Sequence, residues 1–343
     1  MSQSAADGDG RPFRILSLDG GGIKGTFTAA FLAGLEAMTG KRLVDHFDLI
    51  TGTSTGGIIA VALGLGVPAE DVLRLYREQG PSIFPVPRRG VLGWAAEQWR
   101  HIFGPKHSQE VLMKAVKGVV GERKFGESRV RLVIPAFDGN RGAVQLFKTA
   151  HSPDYKQDYL LPAATVAVGT AAAPTYFQAY TEAGGGCYLD GGLWANSPVV
   201  VGLLEATSIL GRRIEDVELL SVGTTTCPYH VSHARRNGGF LRWATGLADV
   251  FMQAQVEAAL GQARLMVGER MLRVNAEAAP GRFSIDNASA ITELKDLGDQ
   301  AARRHEKEVS QRFLFARAEP FTPFYAVGQP APAEGATTST AEK

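Results

Sequence analysis

The sequence predicts an α/β protein: a mainly parallel sheet with helices on both faces. Three observations lead there. Short apolar runs alternate with segments of helical periodicity along most of the chain. Two glycine clusters, Gly20 to Gly22 and Gly52 to Gly57, each follow an apolar run and lead into a helical segment, as strand-to-helix turns of a parallel sheet do. The 343-residue chain is 45% hydrophobic and 21% charged, a globular composition that fits one large domain or two small ones.

The elements follow in order. "FRILSL" (13–18) is a buried strand. Thr26 to Met38 places Phe27, Ala30, Phe31, Gly34 and Leu35 on one helical face. "FDLITGT" is the next strand, and "TGGIIAVALGLG" is the helix it enters. "RVRLVIPAF", "AVQLFKTA" and "VELLSVGT" read as further strands. Longer helical patterns occupy about 242–268 and 291–314. "YLLPAATVAVGTAAAPTYF" is nearly uncharged but carries Pro162, Pro174 and several threonines, which suits a buried segment better than a membrane span.

The ends differ from the body. Residues 1–11 and 329–343 are polar, without apolar periodicity, and are expected to be disordered. Residues 12–328 form a single domain, with a lid or insert expected at 81–105. There, Leu92, Ala95, Trp99, Ile102 and Phe103 share a helical face beside Arg88, Arg89 and Arg100. Such a stripe suits either a core-facing helix or one lying on an anionic membrane. Arg235, Arg236 and Arg242 beside Phe240 and Trp243 could hold a nucleotide or form a solvated charged run.

Lys plus Arg is 36 and Asp plus Glu is 35, a net charge of +1, so no overall field draws the chain to DNA or RNA. Cys187 and Cys227 make no disulfide framework and have no metal spacing. The acidic, polar start is not a signal peptide, and the expected location is cytoplasmic. None of the seven histidines stands in a metal-binding pattern.

Gly20, Gly22 and Gly25 fit G-x-G-x-x-G, the dinucleotide fingerprint. That reading wants an acidic residue ending a second strand, and Asp48 begins its strand instead. Gly52-x-Ser54-x-Gly56 offers another use for the first loop. It is a nucleophile-elbow pattern between an apolar strand and an apolar helix. A serine attacking an ester creates an oxyanion, and the N–H groups of Gly20, Gly21 and Gly22 suit its stabilisation. The serine needs a base. Asp190, ending a short apolar strand before Gly191 and Gly192, is one candidate. His230 or His233, completing a Ser–Asp–His order, is the other.

"DGGGIKG", "GTSTGG", "GTAAAPTYF" and "DGGLWANSP", in that order over residues 13 to 225, resemble the patatin-like phospholipase family. The resemblance implies a three-layer αβα fold, a Ser54–Asp190 dyad without a catalytic histidine, and an oxyanion hole from Gly20, Gly21 and Gly22. Lys24 stands where the family more often has arginine and is expected to meet an anionic phosphate. No metal or organic cofactor is implied. The "SLDGGGIKGTFTAAFLAGLE" and "FDLITGTSTGGIIAVALGLG" blocks resemble a subgroup, the cyclic-nucleotide-activated phospholipase effectors of bacterial CBASS anti-phage systems. This implies a membrane phospholipid substrate, a cyclic dinucleotide activator, peripheral attachment to the inner membrane when active, and self-association on activation. The competing expectation is a nucleotide-binding sensor on the same fold.

Overall fold

The first apolar run becomes β1, Phe13–Leu18, buried along its whole length in the middle of the sheet. The computed structural model describes residues 11–85, 106–182, 184–227, 231, 236, 247–279 and 281–329. The remaining strands are β2 (Leu49–Gly52), β3 (Arg131–Asp138), β4 (Ala143–Lys148), β5 (Tyr180–Thr181), β6 (Cys187–Asp190), β7 (Val217–Val222) and β8 (Met271–Val274). Their order is β5-β6-β3-β2-β1-β7-β8, with β4 also paired to β3. β3, β2, β1, β7 and β8 run parallel, whereas β4, β5 and β6 add antiparallel pairs at one end.

The helices are α1 (Gly25–Thr39), α2 (Thr55–Gly64), α3 (Ala69–Ile83), α4 (Gln109–Val120), α5 (Ala163–Thr170), α6 (Gly192–Ala195), α7 (Val199–Leu204), α8 (Leu247–Val267) and α9 (Ile291–Arg312). Side chains alternate across β1, as the pleat requires. Leu16 and Leu18 join the core beneath α1 to α5 and α9, while Phe13 and Ile15 join a second core beneath α7 and α8. The result is the expected three-layer α/β fold.

The expected face of α1 is buried at Phe27, Ala30, Phe31 and Leu35, and burial extends to every side of the helix from Gly25 to Ala33. The cause is α9, which lies so close that a methyl on Gly34 would sit 2.8 Å from the Ala302 β-carbon. Residues 81–83, assigned to the start of an insert, are the last turn of α3, and the Phe84 ring is buried. The amphipathic stripe at 92–103 lies outside the described residues. So do residues 1–10 and 330–343, His230 and His233, and Arg235, Phe240, Arg242 and Trp243. Arg11 is tied to the body through an ion pair with Asp48, 2.6 Å. Asp48 also accepts the Arg14 N–H, 2.9 Å, so this acid fixes the start of β1. Among the described residues, no helix is long and apolar enough to cross a membrane, and no cluster of three His, Cys, Asp or Glu could hold a metal ion.

Candidate active site

β2 and β6 occupy the same lane beside β3. β2 pairs with β3 through Thr51 opposite Val133; β6 arrives from the other direction and ends with Asp190 opposite Ala136. The two strands therefore stop head to head, and the gap between them faces Ile134 and Pro135. Proline suits the gap, because its missing N–H deprives no neighbouring strand of a donor. Its carbonyl accepts a hydrogen bond from the Thr170 hydroxyl. Ser54 leaves one side of the gap and Asp190 enters from the other.

The turn from β2 into α2 passes through Ser54 at φ 54° and ψ −122°, a conformation that favours glycine. Neighbours hold it there. The Ser54 N–H donates to Thr170 Oγ1 at 3.0 Å, and the Thr53 hydroxyl donates to the Ala195 carbonyl at 2.6 Å. Gly56 is required by packing: a β-carbon there would collide with the Leu18 carbonyl at the end of β1. The N-terminus of α2 thus sits directly against the loop that follows β1. Its free N–H groups favour negative charge at the serine oxygen.

Asp190 is buried, and its carboxyl pKa is raised from 3.8 to about 6. Desolvation is the cause; hydrogen bonds from the Ser54 hydroxyl and the Gly192 N–H oppose it only in part. The Gly192 N–H lies 2.6 Å from Asp190 Oδ1. The strand end is anchored by Asp190 N–H to Ala172 C=O, 3.0 Å, and Gly191 N–H to Thr170 C=O, 3.1 Å. Thr170 therefore holds both sides of the gap, its hydroxyl fixing Ser54 and its carbonyl fixing the turn after Asp190.

The glycine loop closes the third side. A methyl on Gly20 would lie 3.2 Å from the Ser54 β-carbon, so the loop rests on the serine. The three glycines are not equivalent donors. The Gly20 N–H is already given to the Asn196 carbonyl at 2.9 Å. Gly20 shapes the loop, and Gly21 and Gly22 carry the N–H groups that have no partner among the described residues. Gly22 has φ 58°, and a β-carbon there would collide with the Ile285 carbonyl. Asp19, just before the loop, is ion-paired with Arg273 at 2.6 Å. Lys24 lines the same cavity and donates to the Thr225 carbonyl at 3.4 Å.

Ser54, Asp190 and the glycine loop open into one cavity of about 1000 Å³. Its walls are largely apolar, with Ile58, Leu75, Phe84, Leu112 and Phe177 among them. This is the upper end of the range for ligand sites and suits a long hydrocarbon chain. Thr170 and Asn196 lie within the blocks that carry the family resemblance, yet the sequence pattern marks neither as part of the site. Their part is played through one hydroxyl and two main-chain carbonyls, and none of these leaves a mark in residue spacing.

Fold and cavity are those of a lipid ester hydrolase. A family profile described as patatin-like phospholipase matches residues 16–203, and the chain belongs to that family. It is 35% identical over 303 residues to a cGAMP-activated phospholipase of Pseudomonas aeruginosa, covering 85% of this chain and 88% of that one. A cGAMP-activated phospholipase of Vibrio cholerae is 33% identical over 327 residues, covering 84% and 90%. Among solved structures, VipD from Legionella pneumophila matches 87% of this chain and 67% of its own, at 11% identity and a TM-score of 0.43.

Proposed function

We propose that this chain hydrolyses acyl esters of membrane phospholipids with Ser54 as nucleophile and Asp190 as its base, under the control of a cyclic nucleotide. The observation that carries the chemistry is the Ser54 hydroxyl on the buried Asp190 carboxylate, beside main-chain N–H groups, in an apolar cavity. Ser54 Oγ attacks the ester carbonyl and its proton passes to Asp190. The N–H groups of Gly21 and Gly22 receive the oxyanion, with Gly20 holding the loop in shape. Asp190 returns the proton to the departing glycerol oxygen. Water then attacks the acyl-Ser54 ester as Asp190 takes its proton, and Asp190 passes that proton to the departing Ser54 Oγ, which releases the fatty acid and restores both residues. Lys24, at the polar side of the cavity, suits the lipid phosphate. The reaction draws on no metal or organic cofactor.

Control by a cyclic nucleotide is supported by the names of the two relatives. It also has a physical rationale: a hydrolase of membrane lipid must be silent until needed. The role that follows is that of a phage-defence effector acting at the inner membrane. The test is fatty-acid release from phospholipid vesicles, with and without cGAMP. Release that requires cGAMP supports the reading. Absence of release under both conditions refutes the activity, and full release without nucleotide refutes the control.

The base imposes a pH dependence. Asp190 accepts a proton only when ionised, and its carboxyl sits at about 6. In the activated enzyme, kcat/KM is expected to be flat above pH 7 and to fall about tenfold per pH unit below the pKa. A rate profile from pH 4.5 to 8.5 on a non-titrating ester checks this. A midpoint near 4 would contradict it.

A further inference from the structure

The glycine loop touches a segment that takes no part in the chemistry, residues 281–290, between β8 and α9. The Ile23 N–H donates to the Ile285 carbonyl at 2.8 Å. The same carbonyl fills the space that a β-carbon on Gly22 would need. One oxygen therefore pins the loop and also demands glycine at its left-handed turn, where φ is 58°. The Ile285 carbonyl shares a planar peptide unit with the Asp286 N–H, so fixing Asp286 fixes the direction of that oxygen.

Asp286 is held by three groups. Lys106 Nζ is ion-paired with Oδ2, and His107 Nε2 lies 3.7 Å from the same oxygen. The Ser284 hydroxyl donates to Oδ1 at 2.6 Å. Burial alone would raise the Asp286 carboxyl, but His107, Lys106 and Ser284 outweigh it and hold the group well below the usual carboxylate range. Lys106 and His107 are anchored in turn. Their N–H groups donate to the Thr175 and Tyr176 carbonyls at 3.1 and 2.7 Å. The His107 ring packs against Phe84, Tyr176 and Phe177. Ile285, Thr175, Tyr176 and Phe177 line the cavity, whereas Asp286, Lys106 and His107 do not.

We propose that Asp286 is a positioning residue: anchored by Lys106 and His107, it aims the Ile285 carbonyl at Ile23 and so holds the Gly21 and Gly22 N–H groups where the oxyanion forms. This rests on the assignment of those two glycines as the donors. The Asn196 carbonyl fixes the entry to the loop through Gly20, and the Ile285 carbonyl fixes its exit through Ile23. Gly21 and Gly22 lie between the two anchors. Oxyanion donors act by being in place before charge develops, so a loop released at one end loses rate and keeps its affinity for substrate. Removing the carboxylate should leave the fold intact. Phe283 and Ala288 are buried on either side of it, and the Lys106 side chain is 33% exposed, so its ammonium can turn to water.

Amide hydrogen exchange and steady-state kinetics on the full chain test this. Exchange is read at Ile23 and Lys24 without lipid or nucleotide, and turnover is read on phospholipid vesicles with cGAMP. Asp286→Asn keeps the size of the side chain and an acceptor for Ser284. It should speed exchange at Ile23 about tenfold, lower kcat about tenfold and leave KM within about twofold of the parent. Lys106→Met should do the same. The double variant should lose no more than either single one, because both break the same contact. A contact that serves stability alone would lower the melting temperature and leave Ile23 exchange and kcat unchanged, and that result overturns the proposal. So does a raised KM at constant kcat, or a fall in kcat without faster exchange. Failure of the catalytic reading is told apart by the parent: no fatty-acid release from it refutes the roles of Ser54 and Asp190, and exchange alone then decides whether Asp286 fixes the loop.

Discussion

Asp190→Asn is expected to cut fatty-acid release by about 10²–10⁴-fold while making the protein more stable at alkaline pH. The two effects share one cause. Burial raises the carboxyl from 3.8 to about 6, so folding favours its protonated form. The sign follows from linkage. A group whose folded pKa is raised contributes its full stability below the unfolded pKa and loses it as pH climbs through the folded one. By pH 8 the gap corresponds to about 3 kcal/mol of destabilisation carried by this one ionised side chain. Asparagine keeps an acceptor for the Gly192 N–H and never ionises. The variant should therefore melt several degrees above the parent at pH 8 and close to it at pH 4. Melting curves at both pH values, with vesicle assays on the same samples, give the comparison. A variant that is inactive but no more stable at pH 8 would mean that Asp190 is not held in a desolvated site.

Ser54 gives the second large effect, and here two substitutions separate chemistry from backbone strain. Ser54→Ala and Ser54→Gly should both abolish release, since neither has an oxygen to acylate. Their stabilities should differ. At φ 54° and ψ −122°, alanine keeps the strained geometry and glycine is relieved of it. The glycine variant is expected to exceed the alanine variant by about 1–3 kcal/mol in denaturant unfolding, with the loss of chain entropy drawing it toward the lower end. Equal stabilities would show that the elbow stores no strain. Residual release at parental rates from either variant would end the nucleophile assignment.

Much of this architecture was legible in the residues, and the failures have identifiable causes. The first strand, Phe13–Leu18, lies where its unbroken apolar run placed it, and α2 begins at Thr55 directly after Ser54. Both are local signals. The full burial of α1 was not legible, because its extra partner α9 begins some 250 residues later and periodicity records a face, not what covers it. The antiparallel entry of β6 was equally hidden. "CYLD" is too short to show direction, which is set by its pairing with β3. Within the site, Ser54 and Asp190 stood out because glycines frame them. Gly20 looked like a donor beside its neighbours, and only the Asn196 carbonyl reveals that its N–H is already committed.

β3 acts as a ruler for the site. Ser54 and Asp190 ride on strands that share no ladder with each other, and their separation is counted off in residues along a third. One residue inserted between Val133 and Ala136 would move the two ends apart by about 3.3 Å and turn Asp190 toward the opposite layer. Insertions beyond Asp138, in the hairpin before β4, would leave that spacing untouched. Insertion in this protein should therefore be easy at the hairpin tip and nearly forbidden at the three peptide junctions between Val133 and Ala136.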